Sequence, residues 1–122
     1  METKKEYRYQ VIKTLINSTS AITISAEIDK TYDKVVGICA FSNAIYSSNI
    51  NLNLSSRLTI NNKEEFPEDY PTALLFPINH NEKWNEIEAE ANGSMLECKV
   101  QDSAYTSNYY FTIILKLERN II

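Results

Sequence analysis

His80 is the only histidine, so any Ser-His-Asp or Cys-His device in this chain would have to use it. It sits in the polar run Asn79-His80-Asn81, and no G-x-S-x-G motif presents a nucleophile anywhere in the sequence. Cys39 and Cys98 lack the paired spacing of a zinc motif, so a zinc site would need both to converge with His80 from separate segments. Glu64, Glu65, Glu68 and Asp69 supply carboxylates but lack the alternating ligands and turn glycine of a calcium loop. Glu88 and Glu97 could work as a hydrolytic pair only if a cleft gathered them with a further acid. The expectation is a protein without catalytic residues, metal or cofactor.

The 8 tyrosines carry a stronger signal. Tyr46, Tyr70, Tyr105, Tyr109 and Tyr110 fall in or beside expected loops, near Asn and Ser. Tyrosine offers apolar area and a hydroxyl at modest entropic cost, which suits recognition of proteins or sugars. The candidate binding set is therefore Tyr46, Tyr105, Asn108, Tyr109 and Tyr110, with rings to stack on a sugar and an amide to bond its hydroxyls. The plainer reading treats tyrosine as a common strand former with an amphipathic surface role. Both stay open at this point.

At 122 residues and 43% hydrophobic content the chain is expected to be one domain with one core. Its formal net charge is −4, and no run of Lys or Arg could track a phosphate backbone, so nucleic acid is not an expected partner. No apolar run approaches the ~20 residues of a membrane span, and Met1 is followed by charge rather than by the apolar core of a signal peptide. Synthesis in a reducing cytosol is the expectation, with Cys39 and Cys98 as thiols in the core. Residues 1–6 read as a flexible, solvated end.

The elements that must position these side chains are strands. Residues 49–60 put Ile50, Leu52, Leu54, Ser56, Leu58 and Ile60 on one face, and Asn49, Asn51, Asn53, Ser55, Arg57 and Thr59 on the other. Only a strand sorts them this way, and one dry face implies an antiparallel sheet covered on one side. Residues 7–16 change phase from Tyr7, Tyr9 and Val11 to Ile12 and Ile16, which predicts a bulge or a passage between sheets. Residues 21–29 alternate cleanly. Residues 35–45 are apolar on both faces, with Val36, Ile38 and Ala40 on one and Val35, Cys39 and Phe41 on the other. That suits a central strand or a face used in assembly, and Gly37 in its middle marks a bulge or a close backbone approach.

Asn61-Asn62-Lys63 predicts a tight turn, followed by a short return at 64–66, a proline-bounded loop and an apolar strand at 72–76. Asn92-Gly93 predicts a hairpin that pairs Ala89 with Leu96, Ile87 with Cys98 and Glu88 with Glu97. The last strand, 109–117, alternates with Tyr109, Phe111, Ile113, Leu115 and Leu117 on one face. About eight strands and no amphipathic helix predict an all-β, antiparallel two-sheet sandwich of jelly-roll type.

The succession Val35-Val36-Gly37-Ile38, the strand carrying Leu52, Leu54, Leu58 and Ile60, and the turn Asn61-Asn62-Lys63-Glu64-Glu65-Phe66-Pro67-Glu68-Asp69-Tyr70 carry a resemblance, as do Ala91-Asn92-Gly93-Ser94 and the final strand. They are similar to small β-sandwich virion proteins of phages and mobile elements of Bacteroidetes-type bacteria, although Asn62 stands where that turn often has Gly. The resemblance implies a virion component, capsid-associated or at a vertex or fibre base, made in the host cytoplasm and acting by assembly. It implies a structural protein rather than an enzyme, partnered by itself as a homo-oligomer and by other assembly proteins, and it supplies no catalytic residues. The alternative from a different class is a carbohydrate- or receptor-binding module using the tyrosine set above.

Overall fold

Period-two alternation of apolar residues turns almost the whole chain into strands, since each such strand can bury one face only against a second layer. A computed structural model describes residues 4–43, 52–75 and 84–121. The strands are β1 (Lys4–Ile16), β2 (Ile22–Glu27), β3 (Lys34–Ser42), β4 (Leu52–Ile60), β5 (Lys63–Phe66), β6 (Asn85–Glu90), β7 (Met95–Asp102) and β8 (Tyr109–Ile121). They form two antiparallel sheets of four, ordered β1-β8-β3-β6 and β2-β7-β4-β5. The pairing is nested: β1 with β8, β2 with β7, β3 with β6, and β4 with β5. This is a long hairpin rolled up so that successive pairs alternate between sheets, which makes the sandwich a jelly roll.

The inner faces match the alternation. Tyr109, Phe111, Ile113, Leu115 and Leu117 of β8 are all buried, facing Leu52, Leu54, Leu58 and Ile60 of β4 and Leu96, Cys98 and Val100 of β7 across the core. Two register shifts interrupt β4 against β7, between Leu54 and Ser56 and between Ser56 and Thr59. The first sends Ser56 to the outer face beside Lys99, and the second returns Leu58 and Ile60 to the core. The expected inward phase therefore survives on both sides of Ser56, at Leu52 and Leu54 and at Leu58 and Ile60, but not at Ser56 itself; residues 49–51 lie outside the described residues.

Sequence expectations are corrected at several points. β1 pairs with β8 without a register shift from Lys4 to Ile16, so its change of phase is no bulge. Both faces of β1 are partly apolar because its inner face is needed by the core only at Ile12 and Ile16. Nearer the start, Gln10 bonds the backbone of Glu27 and Asp29, and Arg8 pairs with Asp29 at 2.7 Å. Of the expected flexible end 1–6, residues 1–3 lie outside the described residues; Lys4 onward belongs to β1, where Glu6 pairs with Arg119 and accepts a hydrogen bond from the Tyr32 hydroxyl.

In β3 a shift between Val35 and Gly37 exchanges the expected faces, so Val35 joins Ile38 and Ala40 in the core. Residues 72–75 form a 3₁₀ helix rather than a strand, held by the buried Thr72 hydroxyl donating to the Leu52 carbonyl at 2.8 Å.

The turn residues behave as their chemistry requires. Asn61 and Asn62 take left-handed φ of 54° and 62° and close the β4–β5 hairpin. Asn92 and Gly93 take φ of 38° and 79°, and Ser94 N–H donates to the Ala91 carbonyl at 2.7 Å. That turn is no hairpin, however: β6 runs into the first sheet and β7 into the second. Ala89 pairs with Val35, Leu96 with Ala26 and Ile60, and Glu97 with Ser25 and Thr59. The diverging strands are anchored instead by Asn92 and Gly93 N–H groups donating to Tyr32 and Ile28 carbonyls at 2.8 and 3.1 Å.

Leu54 is 1% exposed and Asn53, its neighbour, lies on the outer side. Leu54→Asp should bury an unpaired carboxylate, cost several kcal/mol (about 3 or more) and prevent folding, whereas Asn53→Asp should cost about 0.5 kcal/mol or less. Urea denaturation of both variants checks this, and equal losses would contradict the one-sided sheet.

Two buried acids add a pH signature. Burial pushes the Cys98 thiol from 9.0 up to about 12. Burial also raises the Tyr109 phenol, helped by its hydrogen bond to Asp102. The folded chain keeps both protons where the unfolded chain releases them. Their contribution is therefore complete below about pH 9 and is lost as the pH rises toward 12. The urea midpoint should be level from neutrality to about pH 8.5 and fall above it. A midpoint unchanged up to about pH 11 would contradict this burial.

Candidate functional site

Among the described residues the tyrosine set is brought together only in part, Tyr105 meeting Asn108 while Tyr109 and Tyr110 part. Tyr109 and Tyr110 are consecutive in β8 and so point to opposite faces. Tyr109 is buried, and its hydroxyl donates to the Asp102 carboxylate at 2.6 Å, tying the end of β7 to the start of β8. Tyr105 packs half-buried against the core with its hydroxyl donating to the Asn108 side chain, so those two groups satisfy each other. Tyr110 lies on the outer face of the first sheet, with the Lys13 Nζ 4.2 Å from its ring centre. Tyr46 falls outside the described residues, as does His80.

The acidic and thiol candidates are likewise dispersed. Glu88 is on the outer side of the first sheet, ion-paired to Lys34 at 3.2 Å, and Glu97 is on the outer side of the second. Cys39 and Cys98 are buried in different sheets, β3 and β7, with no disulfide between them. Among the described residues no group of three His, Cys, Asp or Glu side chains converges as a metal site would require.

What the fold does gather is apolar surface. On the outer face of the first sheet β1 presents Tyr7, Tyr9, Val11 and Leu15, which are 48%, 56%, 60% and 38% exposed. The register sets Val11 beside Ile114 and Leu15 beside Tyr110 on β8, then Ile114 beside Cys39 and Thr112 beside Phe41 on β3. Phe41 and Tyr110 are exposed as well. Among the described residues only Leu74, Met95 and Ile121 are large exposed apolar side chains elsewhere. By contrast, the outer face of the second sheet carries Thr23, Ser25, Ser56, Thr59, Glu97 and Lys99.

A glycine organises the middle of the apolar face. Gly37 lies beside Lys116, and a Cβ there would stand 3.0 Å from the Trp84 Cβ and 3.3 Å from its Cγ. Without that Cβ, Trp84 can lie over the backbone of β3 and reach Tyr9, two strands away. Their rings stack with centres 5.4 Å apart and planes 14° from parallel. Lys116 then turns to the Tyr7 ring, its Nζ 4.8 Å from the centre, and Lys5 pairs with Glu118 at 3.3 Å. A shallow groove crosses this end of the face between Tyr7, Trp84, Lys34 and Glu88.

The sequence did hold a trace of this surface, in the alternate Tyr7, Tyr9 and Val11, but the same residues read equally well as an inner face displaced by a bulge. Comparison with protein-family models, curated proteins and solved structures returns no match.

Gly37→Ala should push Trp84 off the sheet and away from Tyr9. As the chain has a single tryptophan, its emission should shift toward the red and its quenching by iodide should rise. Emission identical to the parent would mean that Gly37 does not govern the stack.

Proposed function

We propose that this protein is a non-enzymatic structural component that acts by self-association within a larger assembly, of the kind formed by capsid-associated, vertex or fibre-base proteins of virions. The observation that carries this reading is the cluster of apolar side chains at one end of the outer face of the first sheet, with Val11, Leu15, Ile114, Phe41 and Tyr110. A soluble monomer seldom exposes a contiguous patch of Tyr, Val, Leu and Phe side chains, and such patches mark surfaces that partners cover. Jelly rolls serve in viral capsids, lectins and cupins, so the fold is compatible with the virion setting without selecting it. The opposite orientation of Tyr109 and Tyr110 on β8 favours this reading over the sugar-binding alternative.

Sedimentation over a concentration series should show association at micromolar protein. Val11→Glu, at the most exposed large apolar side chain among the described residues, should leave the fold intact at a cost of about 0.5 kcal/mol and abolish association. A parent protein that stays monomeric at high concentration would refute the assembly reading. Capsid, portal or terminase genes beside its own are the expected genomic context. Unrelated metabolic genes there would remove the virion setting and leave self-association to stand on its own.

A further inference from the structure

The apolar face has an internal pattern that restricts what can cover it. Along the strands it is divided. One end is largely apolar, with Val11, Leu15, Ile114, Phe41 and Tyr110 around the single cation Lys13, whose ammonium lies over the Tyr110 ring; the other is charged, with Lys5, Lys34, Glu88, Lys116 and Glu118. Across the strands it is divided again. The outer face of edge strand β1 has only cations among its charges, Lys5 and Lys13, while edge strand β6 has only anions, Glu86, Glu88 and Glu90.

We propose that the occupant is a second copy of this chain, packed sheet on sheet about a two-fold axis that lies in the interface and runs along the strands. This rests on the assembly reading and specifies its geometry. Rotation about that axis keeps each end of the face at the same end, so apolar side chains meet apolar ones and charged side chains meet charged ones. It also exchanges the two edges, so β1 of one copy lies over β6 of the other and Lys5 approaches Glu88. In the middle it sets β8 over β3, which brings Glu118 over Lys34 of the second copy, twice.

The other in-plane two-fold, across the strands, would lay the charged end on the apolar end. It would also set Lys34 against Phe41, burying charge without a partner. Only the first arrangement is self-complementary in both directions, as an isologous contact demands. The strands of this sheet, 13, 13, 9 and 6 residues long, give a face of roughly 650 Å² per copy. That lies within reach of a standard specific interface.

A charge exchange tests the geometry. Lys5→Glu and Glu88→Lys change side chains that are 51% and 79% exposed, and the ion pairs they lose within one copy are surface pairs of small worth, so both variants should fold. Each alone opposes like charges at both symmetry-related contacts and should associate about ten-fold more weakly than the parent. Mixed in equal amounts, they form a heterodimer in which every contact again joins opposite charges. Native mass spectrometry of the mixture, with one variant isotope-labelled, should therefore show the heterodimer in excess of the statistical half.

A parent dimer whose variants weaken without this preference, or do not weaken at all, overturns the proposed axis and leaves the assembly reading standing. Edge pairing along β1 would give that result. A parent that remains monomeric at every concentration removes both.

Discussion

Burial of one face of β8 is the constraint on which the rest of the molecule depends. Its inner stripe runs Tyr109, Phe111, Ile113, Leu115 and Leu117, all buried, with Phe111 among the largest fully enclosed side chains. Placing that stripe against the second sheet fixes where β8 lies, and both sides of its backbone must then find ladder partners. β1 satisfies one side over thirteen residues and β3 the other, so the two ends of the chain and its third strand are all registered by one element. Polar groups at the rim follow from this. Asp102 receives the Tyr109 hydroxyl and the Ala104 N–H at 2.6 and 2.9 Å, and Glu6 meets Arg119 where β1 passes the end of β8.

The nested pairing has a kinetic side. β1 and β8 come from opposite ends of the chain, so their ladder closes the longest loop, while the Asn61-Asn62 hairpin closes the shortest. Loop-closure entropy grows slowly with length, so the long closure is tolerable in equilibrium terms and is chiefly a matter of order. The central hairpin can form locally, and each outer pair then has a platform on which to add.

The outer face of the first sheet shows how a sheet can keep apolar side chains at its surface. Lysine stems and ammonium groups lie against tyrosine rings at 4.2 and 4.8 Å, and Trp84 lies flat where Gly37 leaves space. These contacts cover part of the area without burying it. A glycine inside a central strand is weakening on its own account, through lost packing and chain entropy. Its place here beneath an indole gives it a steric role that a strand interior alone would not require.

Sequence by itself determined the inner faces of β2, β7 and β8, that of β4 except at Ser56, and the two tight turns. Alternation and left-handed φ at Asn61, Asn62, Asn92 and Gly93 are local properties of the chain, enforced by burial and by backbone sterics. Tertiary structure alone decided the partners. Asn92-Gly93 looks locally like any two-residue hairpin, yet its strands part into different sheets because Ala89 is taken by Val35, and Leu96 by Ala26 and Ile60. It also decided which apolar face of β1 stays outside. Period two labels two faces but not which of them meets a core, and that depends on where β8 holds the strand. The tyrosines were divided for the same reason: nearness in sequence put Tyr109 beside Tyr110, and the pleat sent one into the core and the other to the surface.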